Sequence, residues 1–372
     1  MEHPFDLAAE LTKQPHLVEM PGNLLMKGGR EDYVGAVLCL RGTFYFRNAH
    51  TQPVREALCQ CFDEFRRIGE QHLNWLWREE ARQGKPLEPY LQTSSLCDMM
   101  ALMTGNDLLS FEYTSGKQPQ DAGAWLFSIY GKRAWQANMG NSLSVLEFSV
   151  PLLYQEQHPL SFLQLFFEFS RRLKPEQGYA GYAFNLSVNK RDDNEPTEAF
   201  MADRMLGLDV GTAALLANRP QFKFTRIKTV SWLTLLDQER LNLAGGLDAL
   251  RSPLPPSHFA LYGYGGGVIT QSGAYPYLAG DAEDPKPVPY VLLNHLLKGI
   301  RYETVGSLHG GSHDGEYRLV GWSADQWLKR LDVEDFEIPD YQHKLLANEP
   351  PLTAENCLMK EQIQDEHRSV GL

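Results

Sequence analysis

Apolar residues crowd both faces of the stretch from Leu143 to Tyr154, where Leu143 and Val145 alternate with Leu146, Phe148 and Val150. A strand covered on both sides belongs inside a sheet with further layers around it. Pro151 has no N–H to give and ends the ladder. Phe162, Phe166, Phe169 and Leu173 then recur at helical spacing after His158-Pro159, and Gly178 to Phe184 returns as a strand. The pattern predicts a β-α-β core.

Upstream, Val34 to Phe46 reads as a strand. A long amphipathic helix is expected over Val54 to Glu80, with Leu58, Phe62, Phe65, Ile68, His72, Trp75 and Leu76 along its apolar stripe. Gln83 to Pro89 reads as a loop, Leu96 to Met103 as a short helix, and Leu108 to Tyr113 and Ala124 to Tyr130 as strands. Asn189 to Pro196 is charged and turn-rich, and a helix is expected from Thr197 to Met205. Ile227 to Leu236 reads as a strand, and Phe259–Tyr264 and Val268–Gln271 as two strands joined at Gly265-Gly266-Gly267. Tyr290 to Ile300 is helical at its centre, and Ser323-Ala324-Asp325-Gln326 matches a capping box. The expected architecture is α/β with an α+β tendency, in mixed, largely antiparallel sheets with flanking helices. Residues 1–30 form a loosely ordered segment, 31–340 a compact domain divisible into two lobes (31–220 and 221–340), and 341–372 an acidic tail.

Composition changes the picture at one point. The 372 residues carry a formal net charge of -12, which disfavours a nucleic-acid backbone as partner and suits a basic one. The acidity is uneven: from Leu331 onward ten acids face three bases. The cysteines number five, an odd count without a CxxC pair, and Cys39, Cys59 and Cys61 lie among apolar neighbours, so reduced core thiols are expected rather than a disulfide framework. The first residues lack the basic and apolar regions of a signal peptide, and no uncharged apolar run reaches the ~18 residues of a membrane span. A cytoplasmic protein is expected.

Catalytic motifs do not emerge. Tyr262 to Val268 looks like a phosphate loop, but strand follows it where a helix N-terminus is required, so a hairpin is expected. His309 and His313 have the i, i+4 spacing of a metal pair, but Gly310-Gly311 disfavours the helix that would align them. Glu147 alternates with apolar neighbours and has the character of a buried base, without a partner at diagnostic spacing. No GxSxG, HExxH or GxxxxGK[ST] occurs. A binding protein is expected, with no catalytic residue, metal or other cofactor. A metal-dependent hydrolase using His309, His313 and Glu147 is the competing reading.

Several segments together resemble a known family. Phe44-Tyr45-Phe46-Arg47, Trp75 to Glu80, Leu143 to Tyr154, Gly178 to Tyr182, Lys228 to Thr234, Ala260 to Gly267 and Ala324 to Leu328 are similar, in order, to the bacterial type VI immunity family. Its members are described as immunity proteins for type VI secretion effectors with a VRR-Nuc nuclease domain. The likeness runs from Val34 to Asp332 and carries no catalytic residues. It implies a cytosolic antitoxin that occludes a cognate nuclease, or, as the alternative, immunity to another effector class. A nuclease needs a basic DNA groove, which an acidic protein complements. The acidic groups Asp192-Asp193-Glu195, Asp281-Glu283-Asp284 and Asp332-Glu334-Asp335, with Tyr275 and Tyr277 as anchors, are the expected partner-binding residues.

Overall fold

The computed structural model describes residues 7–80, 85–139, 143–218, 225–311 and 316–363. The chain enters through α1 (Leu7–Lys13) and β1 (Glu19–Gly22). It then forms the 16-residue strand β2 (Glu31–Phe46), which organises the sheet. Next come α2 (Gln52–Gly69), β3 (Trp75–Trp77), β4 (Leu87–Pro89), α3 (Leu96–Ala101), β5 (Leu109–Thr114), β6 (Leu126–Gly131) and α4 (Ala134–Asn138). Strand β7 (Ser144–Pro151) runs into α5 (Leu152–Gln157) and α6 (Ser161–Leu173), and then β8 (Gln177–Leu186). Helices α7 (Arg191–Ala202) and α8 (Ala213–Ala217) precede β9 (Leu233–Asp237), α9 (Gln238–Leu243) and α10 (Gly246–Arg251). The hairpin β10 (Phe259–Gly263) and β11 (Gly267–Ser272), then α11 (Val288–Leu297), α12 (Trp322–Leu328) and α13 (Ile338–Asn348), complete the described chain.

All the strands join one antiparallel sheet in the order β10-β11-β9-β8-β2-β7-β6-β5-β3-β4, with β1 also on β2. Strands β7 and β8 both pair antiparallel with β2, so they run parallel to each other with β2 between them. The expected β-α-β unit therefore exists as a split crossover, and β7 lies with β2 at the middle of the sheet, as expected of a strand covered on both faces. Strands from 31–220 and from 221–340 share this sheet through the pairing of β8 with β9.

Alternation along the strands sets two cores. Leu40, Phe44 and Phe46 of β2 join Phe111, Phe127, Phe148 and the aromatic face of α6 (Phe162, Phe166, Phe169). Gly42 allows this closeness, because a Cβ there would lie 2.6 Å from the Phe148 ring. On the other face Tyr45, Val145 and Tyr179 pack beneath Ala199, Leu216 and Trp327. Helices α7 and α8 cover that face over β2, β7 and β8.

Several expectations are corrected. The long helix stops at Gly69, where a Cβ would meet Trp125 at 2.8 Å, and Trp75 to Trp77 is a strand. Leu76 still reaches the core, but from the pleat of β3. His72 is exposed and stacks on Trp125 with centroids 5.1 Å apart, so it is not a core histidine. The turn-rich segment before Thr197 is the start of α7: Pro196 lies inside the helix and leaves the Asp192 carbonyl without its i+4 donor, and Asn194 Nδ2 donates to the Lys190 carbonyl at 2.7 Å. Strand β9 begins only at Leu233. Gly321 caps α12, and Ser323 instead bonds the backbone of Arg318 and Val320, so the expected capping box does not form. Gly265 turns the hairpin with φ +82°, as expected of a β-turn rather than a phosphate loop. Cys59 and Cys97 are joined in a disulfide with Cα atoms 5.6 Å apart, whereas Cys39, Cys61 and Cys357 are free and buried.

Candidate functional site

The second sheet face carries an unusual density of buried charge. Arg41 of β2 donates to Asp209 Oδ2 at 2.9 Å and to the Phe184 carbonyl at 3.1 Å. Lys228 Nζ donates to Asp209 Oδ1 at 2.6 Å and to the Val210 carbonyl at 2.5 Å. Burial pushes the Asp209 carboxyl up, but Lys228 and Arg41 outweigh it and hold the group below its ordinary range. Glu147 is less well served. Its contacts are the Thr43 hydroxyl at 3.4 Å and Arg41 Nε at 3.8 Å. Burial raises its pKa, against the opposing pull of Arg41 and Arg191.

Two further pairs tie α7 to the segment before α12. Glu195 accepts from the Gly310 and Gly311 N–H groups at 2.7 and 2.9 Å and from Arg318 at 2.5 Å. Glu198 accepts from Gly211 N at 2.9 Å and faces His309 Nε2 at 2.8 Å. The Leu319 N–H donates to His309 Nδ1 at 3.0 Å, so the proton of a neutral ring lies on Nε2 and points at Glu198. That imidazole has no lone pair left for a metal. His313 and Asp314 lie outside the described residues, and among the described residues no group of three potential metal ligands occurs.

Beyond α7 and α8 the same face opens. Residues paired directly across neighbouring strands share a face, and the register lines up Trp77, Glu112, Ser128, Glu147 and Thr43 in one row from β3 to β2. Over β3, β5 and β6 this row floors a cleft of 360 Å³, walled by Tyr130, Val188, Leu215 and Arg191. Arg191 reaches Glu112 at 3.1 Å. At one end, buried Lys132 donates to Asn218 Oδ1 and sits 5.1 Å above the Tyr130 ring; burial, with Arg133 nearby, pulls its pKa down to about 8.

The residues expected at the interface divide into two groups. Asp192 and Asp193 occupy the first turn of α7 rather than a loop, with Asp193 3.6 Å from Lys190. Glu195 is 1% exposed and wholly engaged as described. Asp281 caps its own turn by accepting from Glu283 N and Asp284 N at 3.0 and 2.7 Å. Asp284 accepts from the Tyr341 hydroxyl at 2.5 Å. Burial opposes its ionisation, but that bond and nearby lysines lower its pKa. Asp332 takes two bonds from Arg301, at 2.7 and 2.8 Å, while Glu334 and Asp335 remain exposed. The 281–284 and 332–335 segments thus meet around the N-terminal half of α13, and Asp192 and Asp193 stand apart from them. Tyr275 is exposed, whereas the Tyr277 hydroxyl is committed to Glu349 at 2.6 Å. Phe336, 79% exposed between Asp335 and Glu337, escaped the sequence reading. So did the roles of Arg41, Glu112, Arg191, Asp209 and Lys228. Glu147 alone was singled out, since strand register is needed to see its neighbours.

The profile described as type VI immunity for VRR-NUC, TsiV, matches residues 57–331, well over half of the chain. A solved Pseudomonas aeruginosa T6SS protein, PA0821, is similar at 72% sequence identity and a TM-score of 0.92, covering 97% of this chain and 100% of its own. No curated protein matches. No helix among the described residues is long and apolar enough to cross a membrane. On its residues 57–331, this chain belongs to the TsiV family of type VI immunity for VRR-NUC.

Proposed function

We propose that the chain is an antitoxin that binds a cognate type VI nuclease effector in the cytosol and neutralises it by occluding its DNA groove or active site. Family membership over residues 57–331 carries this reading. The similar Pseudomonas aeruginosa chain, named as a T6SS protein, agrees with it. Charge supports it as well. A nuclease holds DNA with basic residues, and a protein of net charge -12 is attracted to the same groove. The exposed acids Asp281, Glu283, Glu334 and Asp335 around α13 suit that contact. Inhibition then needs no chemistry, only a complex that outlasts the toxin's search for DNA.

The deciding experiment is co-purification with a VRR-Nuc effector from the same genome, followed by DNA cleavage with and without the chain. A stable complex that silences cleavage is the expected result. A stable complex that leaves cleavage intact overturns occlusion. A stable complex with a neighbouring effector that lacks nuclease activity moves the reading to another effector class. Of the three residues of the hydrolase reading, His309 is engaged at both ring nitrogens within the chain, which argues against its use as a metal ligand.

A further inference from the structure

The cleft over β3, β5 and β6 has a chemistry of its own. Its floor pairs an aromatic with acids: Trp77 lies opposite Glu112, Glu112 opposite Ser128, and Ser128 opposite Glu147. Three of the cations around it are already committed to acids, while Lys132 at one end is held by Asn218. Arg78 is 3.0 Å from Glu88, Arg191 is 3.1 Å from Glu112, and Arg41 is 2.9 Å from Asp209. Glu147 is left with a long hydroxyl contact and an arginine shared with another acid. Burial raises its pKa, and Arg41 and Arg191 do not fully offset it. One donor lining the cleft is also unmet: the indole N–H of Trp77 is sheltered from solvent and finds no acceptor. A buried donor without a partner costs stability, and natural proteins retain few of them.

We propose that this cleft receives a basic side chain of the bound effector, an arginine or lysine, with its charge on Glu147 and Glu112 and its stem along Trp77. The inference rests on the antitoxin reading, which supplies a partner rich in basic residues. The incoming cation meets the under-compensated acid, the indole of Trp77 offers its face to an alkyl stem or guanidinium, and the backbone beside that side chain offers a carbonyl to its N–H. A charge pair made in such a sheltered place holds a complex together, whereas the open acids around α13 act on encounter.

The test uses the full chain and the VRR-Nuc effector with which it co-purifies, in a binding titration, with Glu147→Gln and Trp77→Ala as separate variants. Glu147→Gln should weaken binding about a hundredfold, mainly through faster dissociation, and Trp77→Ala about tenfold. Thermal melting of each free variant checks that the fold is kept. Hydroxyl-radical footprinting of the wild-type complex gives a readout independent of any variant: Trp77 and Tyr130 should be protected on binding. Tight wild-type binding with both variants unaffected, or with Trp77 and Tyr130 still labelled as in the free chain, overturns the cleft and leaves the antitoxin reading standing. A wild-type chain that does not bind the effector takes both readings down.

Discussion

At the scale of single residues, the buried charges behave differently according to how completely they are answered. Asp209 sits between Lys228 and Arg41, both also buried. Asp209→Asn keeps the shape but leaves two cations sharing no full counter-charge. It should cost about 3–5 kcal/mol, read as a lower urea midpoint at neutral pH. Glu147 predicts the opposite sign. Its folded pKa is raised by burial, with Glu112 and Asp209 adding to the rise and Arg41 and Arg191 opposing it. The folded chain therefore holds this proton more tightly than the unfolded one. The resulting stability is fully present below the unfolded glutamate value of ~4.3 and is lost as pH rises through the raised folded value. Glu147→Gln mimics the protonated form. It should raise the melting temperature at pH 7, and the gain should shrink as the pH approaches 4. A residue that destabilises the free protein while strengthening its complex is what a binding site predicts. Stability and affinity measured on this one variant should move in opposite directions.

Among the elements, the disulfide between Cys59 of α2 and Cys97 of α3 closes a loop with a sequence separation of 38. Strands β3 and β4 lie within that loop, and β4 is an edge of the sheet. Chain-entropy arguments give such a closure about 4 kcal/mol. Cys97→Ser should lower the unfolding free energy of oxidised protein by up to about that amount, with little change in protein purified under reductant. Alkylation of intact cells bears on the proposed compartment: a cytosolic chain should present these two thiols reduced, and a chain in an oxidising compartment should protect them. The pairing also shows where the sequence was illegible. Cys59 and Cys97 lie on separate helices, and only the packing of α3 on α2 brings them together. The same holds for β3. Leu76 extends the helical stripe of α2 and also satisfies a strand, so periodicity does not distinguish the two, and the helix ends at Gly69, which packs closely on Trp125, distant in sequence. Elements whose pattern allows one answer were legible: β2, β7, α6, β8 and the β10–β11 hairpin. The cleft was not, because it consists of register between strands.

For the whole molecule, the net charge of -12 is spread unevenly, and the exposed part of it acts at long range. The acids around α13 do not contribute alike. Asp284 is bonded to Tyr341 and Asp332 to Arg301, so reversing either would disturb the fold before it disturbed a partner. Asp281, Glu283, Glu334 and Asp335 are exposed, and Phe336 stands among them as an apolar anchor. Replacing those four acids with lysine changes the formal charge from -12 by eight units; it removes the Asp281 turn cap and the Asp335–Lys298 ion pair, both at the surface, and leaves the core untouched. If the acidic face steers the encounter with a basic nuclease, the variant should associate at least tenfold more slowly at low salt, with a dissociation rate close to wild type. The wild-type association rate should itself fall as salt is raised, because the Debye length shrinks from ~30 Å at 0.01 M to ~8 Å at 0.15 M. The variant should lose most of that salt dependence. The same reversal at Asp192 and Asp193, which stand apart on α7, is the control for net charge alone. Stopped-flow association at two ionic strengths separates the cases. A rate lowered only by the α13 substitutions places the encounter there, a rate lowered equally per charge by both sets reduces steering to the overall field, and an unchanged rate removes electrostatics from recognition.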